Sequence, residues 1–182
     1  RFTAIKSPTL FVTKPGFESD AGETNDRSYF VSLPTLHQNI TLVAGDSKIP
    51  EFYPYFDEKS LHLGALVPNE AADLFGLTVG DKIIAIPTWS DTLESITVEI
   101  IGLFERKPSG KNLWHMEETV LEASTGSTFT TIPFYIPQQT FLNDLGPAFE
   151  KLEGTYIWYS DINPDSISAS KTTEIRQRLQ GL

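Results

Sequence analysis

The sequence lacks cysteine altogether and has a single methionine among its 182 residues. Without cysteine the chain forms no disulfide, offers no thiolate nucleophile and cannot bind zinc through sulfur. Chains without cysteine occur on both sides of a membrane, so this absence leaves the cellular compartment open.

Long apolar runs and an excess of basic charge are also missing. No stretch approaches the roughly 20 consecutive apolar residues that a membrane-spanning helix needs. The chain has 14 Lys and Arg residues against 24 Asp and Glu residues, and its formal charge of -10 repels phosphate backbones. We therefore expect no nucleic-acid partner. The chain starts at Arg1 without an initiator methionine, and we expect it to be a soluble piece of a longer protein.

Sequence motifs for catalysis and cofactor binding are absent as well. There is no phosphate-binding loop, no dinucleotide fingerprint, no nucleophile elbow and no HExxH pair. His37, His62 and His115 stand far apart, and His62 is expected to be a surface or edge histidine of a strand. The segment from Asp161 to Ser166 starts like a calcium loop, but Ser166 replaces the glycine that the sharp turn requires. We expect no enzyme activity, no cofactor and no bound metal.

The stretch from Leu61 to Glu105 carries the clearest local signals in the chain. Apolar residues alternate from Leu61 to Val67, which predicts a half-buried strand, and Pro68 ends it. Asn69 is expected to cap the following helix with its side-chain oxygen. The apolar face of that helix is predicted to contain Ala71, Ala72, Leu74 and Phe75.

Two glycines and an aspartate form a structural motif after this helix. Gly76 is expected to end the helix. Gly80 with Asp81 predicts a turn, because glycine adopts positive φ at little cost. The β-branched run from Lys82 to Ile86 then predicts a strand.

The remaining segments predict short strands and helices. The expected elements are an opening strand kinked at Ser7-Pro8, a surface loop from Lys14 to Arg27, a short helix around Pro34 to Gln38 with a strand after it, a strand from Thr128 to Ile136, a helix from Pro137 through Leu145, a second helical piece at Phe149 and Leu152, a strand from Tyr156 to Ile162, and a final helix with Ile175, Leu179 and Leu182 on one face. This pattern predicts an α+β fold with mixed sheets and short helices. Residues 1–182 are expected to form a single domain, since no boundary is marked in the sequence.

The segment FYPYF contains four aromatic residues, namely Phe52, Tyr53, Tyr55 and Phe56. Aromatic side chains are enriched at the energetic centres of interfaces, so an exposed platform that binds a partner is one interpretation. The other interpretation is a loop packed onto the core, because large aromatic side chains are mostly buried. The sequence leaves both interpretations open.

The segments ALVPNEAADLFGLTVGDKIIAI and ITVEIIGLFERK together resemble the extracytoplasmic core domain of MacB/FtsX-type ABC transporter permeases. A small-residue helix, GLxVGD, a strand, a gap and VxIIGIF recur in this order in that family. The C-terminal YIWYSDINPDSISASKTTEIRQRLQGL is similar to the last strand and helix of the same domain. The resemblance covers less than half of the chain and does not extend to residues 1–60.

This resemblance implies a mixed α/β domain of two lobes at the extracytoplasmic face of a bacterial membrane. Membrane-spanning segments of the same parent chain would anchor the domain, and a separate cytoplasmic subunit would hydrolyse ATP. The domain would relay the resulting motion to a protein, peptide or lipoprotein partner and would need no catalytic residue of its own.

Two other classes of protein stay open as alternatives. AADLFGLTVGDKIIAI also resembles the helix, Gly-Asp turn and strand of a PDZ domain, which is a peptide-binding module. A PDZ domain would place an Asn-Gly hairpin after Ile86, where this chain has Pro87, and the chain is much longer than such a module. A secreted hydrolase that brings Ser, His and Asp together by folding is the third class, and no motif favours it.

Overall fold

The fold is a mixed sheet with short helices, seen in a computed structural model that describes residues 2–16, 26–46, 54–57, 60–87, 95–108, 124–125, 129–149, 152–159 and 176–177. Within these ranges eleven strands belong to one sheet. They are β1 (Phe2–Lys6), β2 (Leu10–Thr13), β3 (Asp26–Ser32), β4 (Ile40–Gly45), β5 (Tyr55–Asp57), β6 (Ser60–Pro68), β7 (Lys82–Ile86), β8 (Ser95–Arg106), β9 (Ser124–Thr125), β10 (Thr130–Tyr135) and β11 (Thr155–Tyr159). The prediction of a mixed α+β fold is confirmed.

The helices of the described residues are short. Helix α1 (Leu36–Asn39) leads directly into β4, and α2 (Asn69–Phe75) joins β6 to β7. After β10 comes a helical segment made of α3 (Gln138–Thr140), a π-helical turn (Phe141–Leu145) and α4 (Gly146–Ala148). Strands rather than helices therefore build the framework of the fold.

Six of the strands pair in a closed ring. The order around the ring is β3, β2, β7, β8, β6 and β10, and β10 pairs back to β3. The β3–β10 and β6–β8 pairs are parallel, whereas the four other pairs of the ring are antiparallel. The β6–β10 junction is the narrowest, because it rests on the single pair Leu66–Tyr135. These six strands form a small barrel.

The barrel interior is the main core. One alternate face of each ring strand contributes apolar side chains to a single buried cluster, which includes Leu10, Val12, Phe30, Leu61, Leu63, Ala65, Val67, Ile83, Ala85, Ile96, Val98, Ile100, Ile132 and Phe134. Two residues of α2, Ala71 and Ala72, and two of the π-helical turn, Phe141 and Leu145, join this cluster. Each large side chain contributes about 1.5 to 3 kcal/mol when it is fully buried, so this interior supplies much of the stability.

A second buried cluster lies on the outer face of the ring. It includes Ala4, Tyr29, Val31, Leu33, Ile40, Leu66, Phe104 and Tyr135. The rings of Phe104 and Tyr135 meet edge to face with their centroids 5.2 Å apart. Because β3 and β6 are covered on both faces, their apolar residues do not follow a strict alternation.

The central stretch forms the predicted elements, with one correction at β6 and two at α2. Residues Leu63 to Pro68 are all buried, so β6 is covered on both faces and is not the half-buried strand that the alternation predicted. Strand β6 ends at Pro68, and its alternating apolar residues from Leu61 to Val67 are fully buried. Asn69 does not cap the helix, because Pro68 occupies the N-cap position and Asn69 is already the first helical residue. Leu74 is 60% exposed, since Ala71 and Ala72 take the buried face of this short helix.

The opening segment forms two strands that separate at Ser7, where the sequence predicted one kinked strand. The Ser7 hydroxyl accepts a hydrogen bond from the Phe30 N–H at 2.9 Å and donates to the Pro8 carbonyl at 2.8 Å. Both β1 and β2 therefore stay attached to β3, while β1 also pairs with β11 and β2 with β7. Asp26 and Arg27, expected in a surface loop, are the first residues of β3.

The helical segment after β10 is longer than predicted. It continues past Leu145 to Ala148, so Gly146 and Pro147 do not stop it. Pro147 lies in the first turn of α4, where its missing N–H costs little. Phe149 then adopts an extended conformation instead of starting a second helical piece.

The prediction for β11 is confirmed within its described residues. Tyr156 and Trp158 are exposed on one face, and Ile157 packs against the outer cluster on the other. The final helix predicted around Ile175, Leu179 and Leu182 lies outside the described residues.

Candidate functional site

The Gly80-Asp81 turn lies between α2 and β7 and is hydrogen-bonded to β8, the longest strand of the barrel. Gly80 has a φ of 94°, as predicted, and its N–H donates to the Ile100 carbonyl at 2.8 Å. The Ile100 N–H donates back to the Asp81 carbonyl at 2.9 Å. One Asp81 carboxylate oxygen accepts from the Thr78 N–H at 2.7 Å and from the Thr78 hydroxyl at 3.0 Å. These bonds give the motif a structural role, because they fix the turn after α2 to the middle of β8.

Gly76 ends α2 as predicted. It adopts the left-handed conformation with φ 61° and ψ 41°, and its N–H points back to the Asp73 carbonyl. The Leu77 N–H donates to the Ala72 carbonyl at 2.9 Å, which completes a Schellman motif. The Leu77 side chain is buried, so the chain returns to the core directly after the helix.

The aromatic segment places two of its side chains on the surface. Tyr55 and Phe56 belong to β5 and are 51% and 57% exposed. Phe52 and Tyr53 lie outside the described residues. For Tyr55 and Phe56 the exposure favours a surface platform over a loop packed onto the core.

A histidine and an aspartate meet beside this platform. The Tyr55 ring stacks on the His62 imidazole with centroids 4.5 Å apart and planes 4° from parallel. His62 Nε2 lies 2.7 Å from an Asp57 carboxylate oxygen. The His62 side chain is only 15% exposed, so it is less accessible than the predicted surface histidine. These contacts stiffen the β5–β6 hairpin.

A metal-binding cluster is not found among the side chains that the structure describes. No group of three or more His, Asp or Glu residues there is placed to hold a metal ion. His37 is an exposed residue of α1, and His115 lies outside the described residues.

An apolar cleft of about 350 Å³ opens on the outer face of the barrel. Among its lining residues, Gly64 and Leu66 of β6 are buried and form the floor, while Leu36 and Ile101 are half-buried and form part of the walls. The residues at its mouth include His37 and Gln138, both exposed. Its size lies at the lower end of the range that small-molecule sites occupy.

Comparisons with known proteins add no family. No protein-family model and no curated protein sequence matches the chain. Among the described helices, none has both the length and the apolar character required to cross a membrane.

The cleft and the Asp57–His62 pair were not predicted from the sequence. Both depend on pairing between strands, which periodicity within one strand does not reveal. A weak signal for the cleft was present in the sequence. Gly64 lies between His62 and Leu66 on one face of β6 and leaves a gap in that row of side chains. A glycine inside a strand often marks a place where a ligand or another backbone approaches closely.

Proposed function

We propose that this chain is a non-catalytic extracytoplasmic domain of an ABC transporter permease similar to MacB and FtsX. In this proposal ATP hydrolysis by a cytoplasmic subunit moves the membrane-spanning segments of the parent chain. The domain transmits that motion to a protein, peptide or lipoprotein partner outside the membrane.

The observation that supports the proposal most is the spatial arrangement of the residues that carry the resemblance. Residues 65–86 and 96–107 form the last four residues of β6, all of α2 and β7, and most of β8. Strand β8 pairs with both β6 and β7, and the Gly80-Asp81 turn is hydrogen-bonded to Ile100 in its middle. These two segments therefore belong to one packed unit, whereas the similar C-terminal segment begins in β11, which pairs with β1.

The closed barrel also fits a part that transmits motion. Its ring strands share one interior cluster, and interiors at crystal-like packing density transmit strain instead of absorbing it. The exposed Tyr55 and Phe56 provide a contact surface at the sheet margin, held in place by the His62–Asp57 pair. A partner would meet aromatic side chains of the kind that dominate protein interfaces.

The complete reading frame of the parent gene tests the membrane part of this proposal. A permease domain requires runs of about 20 apolar residues on both sides of the segment from Arg1 to Leu182. A parent chain with a cleavable signal peptide and no spanning helix would overturn the assignment and favour the peptide-binding alternative.

The aromatic surface is tested in the full-length transporter reconstituted with its ATPase subunit. The double variant Tyr55→Ala with Phe56→Ala is expected to lose partner-stimulated ATP turnover at least tenfold. Leu142→Ala is the control, because Leu142 is an exposed apolar residue of the π-helical turn, far from β5 in sequence. Equal turnover in both variants would show that β5 is not part of the partner surface.

A further inference from the structure

We propose that the apolar cleft on the outer face of the barrel binds a neutral small molecule. This guest has an apolar body of about two fused rings and one hydrogen-bonding end. The proposal does not depend on the function proposed above, because it rests on the shape and chemistry of the cleft alone.

The cleft exists because β6 and β10 stop pairing beside it. Leu66–Tyr135 is the one residue pair in their described ladder, and the same register continued by two residues would place Pro137 opposite Gly64. Proline has no N–H to donate, and its fixed φ directs the chain into α3. Gly64 contributes no side chain to fill the gap. The backbone itself therefore creates the opening, and no side chain has to move to form it.

A β-bulge supplies one wall. Between Ala65 and Leu66 the β6–β8 register shifts, so that Ala65 lies opposite Ile100 but Leu66 lies opposite Gly102. The extra residue is Ile101, which lines the cleft and packs against the outer cluster. Bulges of this kind re-aim a side chain next to binding sites.

The charge of the lining determines the class of guest. The chain carries 38 charged residues, as the sum of 14 basic and 24 acidic ones, yet the described lining contains no Asp, Glu, Lys or Arg. An ionised guest would lose its hydration there without gaining a counter-charge. A neutral guest avoids this cost, so the lining favours it.

The mouth of the cleft supplies the polar contacts. The His37 imidazole and the Gln138 amide are exposed at this mouth, and between them they provide both donors and acceptors. A single hydroxyl or amide on the guest can bind there while the apolar body lies against Leu66 and Ile101. Pocket sites commonly combine apolar walls with a few polar groups that fix orientation.

The volume sets the size of the guest. An apolar cavity of about 150 Å³ accepts one benzene ring. The cleft is more than twice as large, at about 350 Å³. Two fused rings with a hydroxyl therefore match both the volume and the polar mouth, and 2-naphthol is a suitable probe.

Calorimetric titration of the purified chain with three probes tests the class of guest. We expect saturable one-to-one binding of 2-naphthol, with naphthalene and 2-naphthoate each at least threefold weaker. Loss of the hydroxyl removes the contact at the mouth, and the carboxylate introduces a charge that the walls do not neutralise. Absence of saturable 2-naphthol binding, or tighter binding of 2-naphthoate, would overturn the proposal. A tryptophan-containing peptide that binds more tightly than 2-naphthol would also overturn it, because the cleft would then accept a partner chain.

Variants locate the site. Gly64→Leu is expected to fill the floor and weaken 2-naphthol binding at least tenfold, and Gly64→Ala covers the case in which the leucine variant does not fold.

Gln138→Ala should weaken 2-naphthol but not naphthalene. Its matched control is Gln139→Ala, since Gln139 is exposed beside Gln138 but is not among the lining residues. Unchanged affinity in folded Gly64→Ala, together with no nuclear Overhauser contact between 2-naphthol and the Ile101 methyl groups, contradicts the assignment.

Discussion

Ser7 and Ser28 are both buried serines, yet their hydroxyls have opposite relations to the backbone. The Ser7 hydroxyl satisfies the Phe30 N–H at the point where β1 and β2 separate. The Ser28 hydroxyl lies buried without a hydrogen-bond partner among the described residues. Removal of the Ser7 hydroxyl leaves the buried Phe30 N–H without a hydrogen-bond acceptor, which costs free energy. Removal of the Ser28 hydroxyl leaves no backbone group without a partner, so it carries no such cost.

Ser7→Ala is therefore expected to destabilise the domain by about 1 to 3 kcal/mol. Ser28→Ala is the matched control, and its free energy of unfolding should be unchanged or higher. Urea denaturation followed by tryptophan fluorescence measures both values. Equal losses in the two variants would show that the Ser7–Phe30 bond contributes nothing specific.

Gly80→Val is expected to cost about 1 to 3 kcal/mol, because a β-branched residue is strongly disfavoured at positive φ. A Cβ at this position would meet nothing within 4 Å, so the loss reports backbone strain and not a clash. Gly80→Asn should lose less, since asparagine tolerates the left-handed region better. Chemical denaturation of the three proteins checks the order, and an unchanged midpoint for Gly80→Val would contradict it.

The elements that the sequence predicted best are those with local signals. Strand β6, the end of α2 at Gly76 and the turn at Gly80 follow from alternation and glycine within a few residues. The N-cap of α2 was wrong because Pro68 already fixes the extended conformation there, which leaves Asn69 inside the helix. The three buried apolar residues of β3, Tyr29, Phe30 and Val31, were not recognised as part of a strand because they pack on both of its faces.

Two leucine substitutions compare the stability contributed by a side chain in the barrel interior with that of an exposed side chain on a short helix. Leu63→Ala in β6 removes a fully buried side chain and should cost about 2 to 5 kcal/mol. Leu74→Ala in α2 removes a side chain that is 60% exposed, and its effect should stay within about 0.5 kcal/mol. Thermal unfolding of both variants gives the comparison. Similar losses would contradict the exposure of Leu74.

At the scale of the whole molecule, the class of fold was predictable but the barrel was not. Composition and the mixture of short strands and helices indicate an α+β fold. Closure of the ring depends on β3 pairing with β10, whose partners Asp26 and Thr130 stand far apart in sequence. No local pattern encodes such a pairing, and the cleft between Gly64 and Pro137 follows from the same distant contacts.

The purified domain is expected to show no ATPase, peptidase or esterase activity, and neither Ca²⁺ nor Zn²⁺ should raise its melting temperature. A metal at a hundredfold excess over its Kd would stabilise the folded state by about 2.7 kcal/mol. Thermal scans with each metal and with a chelator measure this directly. A metal-dependent rise in melting temperature that the chelator reverses would contradict the prediction.

The parallel β3–β10 pair also makes assembly of the domain depend on the order of its synthesis. During translation β6, α2, β7 and β8 leave the ribosome as one continuous segment and pair largely with each other. Strand β3 has emerged long before them, but its partner β10 does not exist until Tyr135 has been added. Contacts between such distant residues form slowly, because a long loop must close first. Strands β1 and β2 can pair with part of β3 early, but the backbone groups of β3 that bind β10 stay open until β10 is complete. An open strand edge of this kind is exposed to aggregation and proteolysis in the meantime.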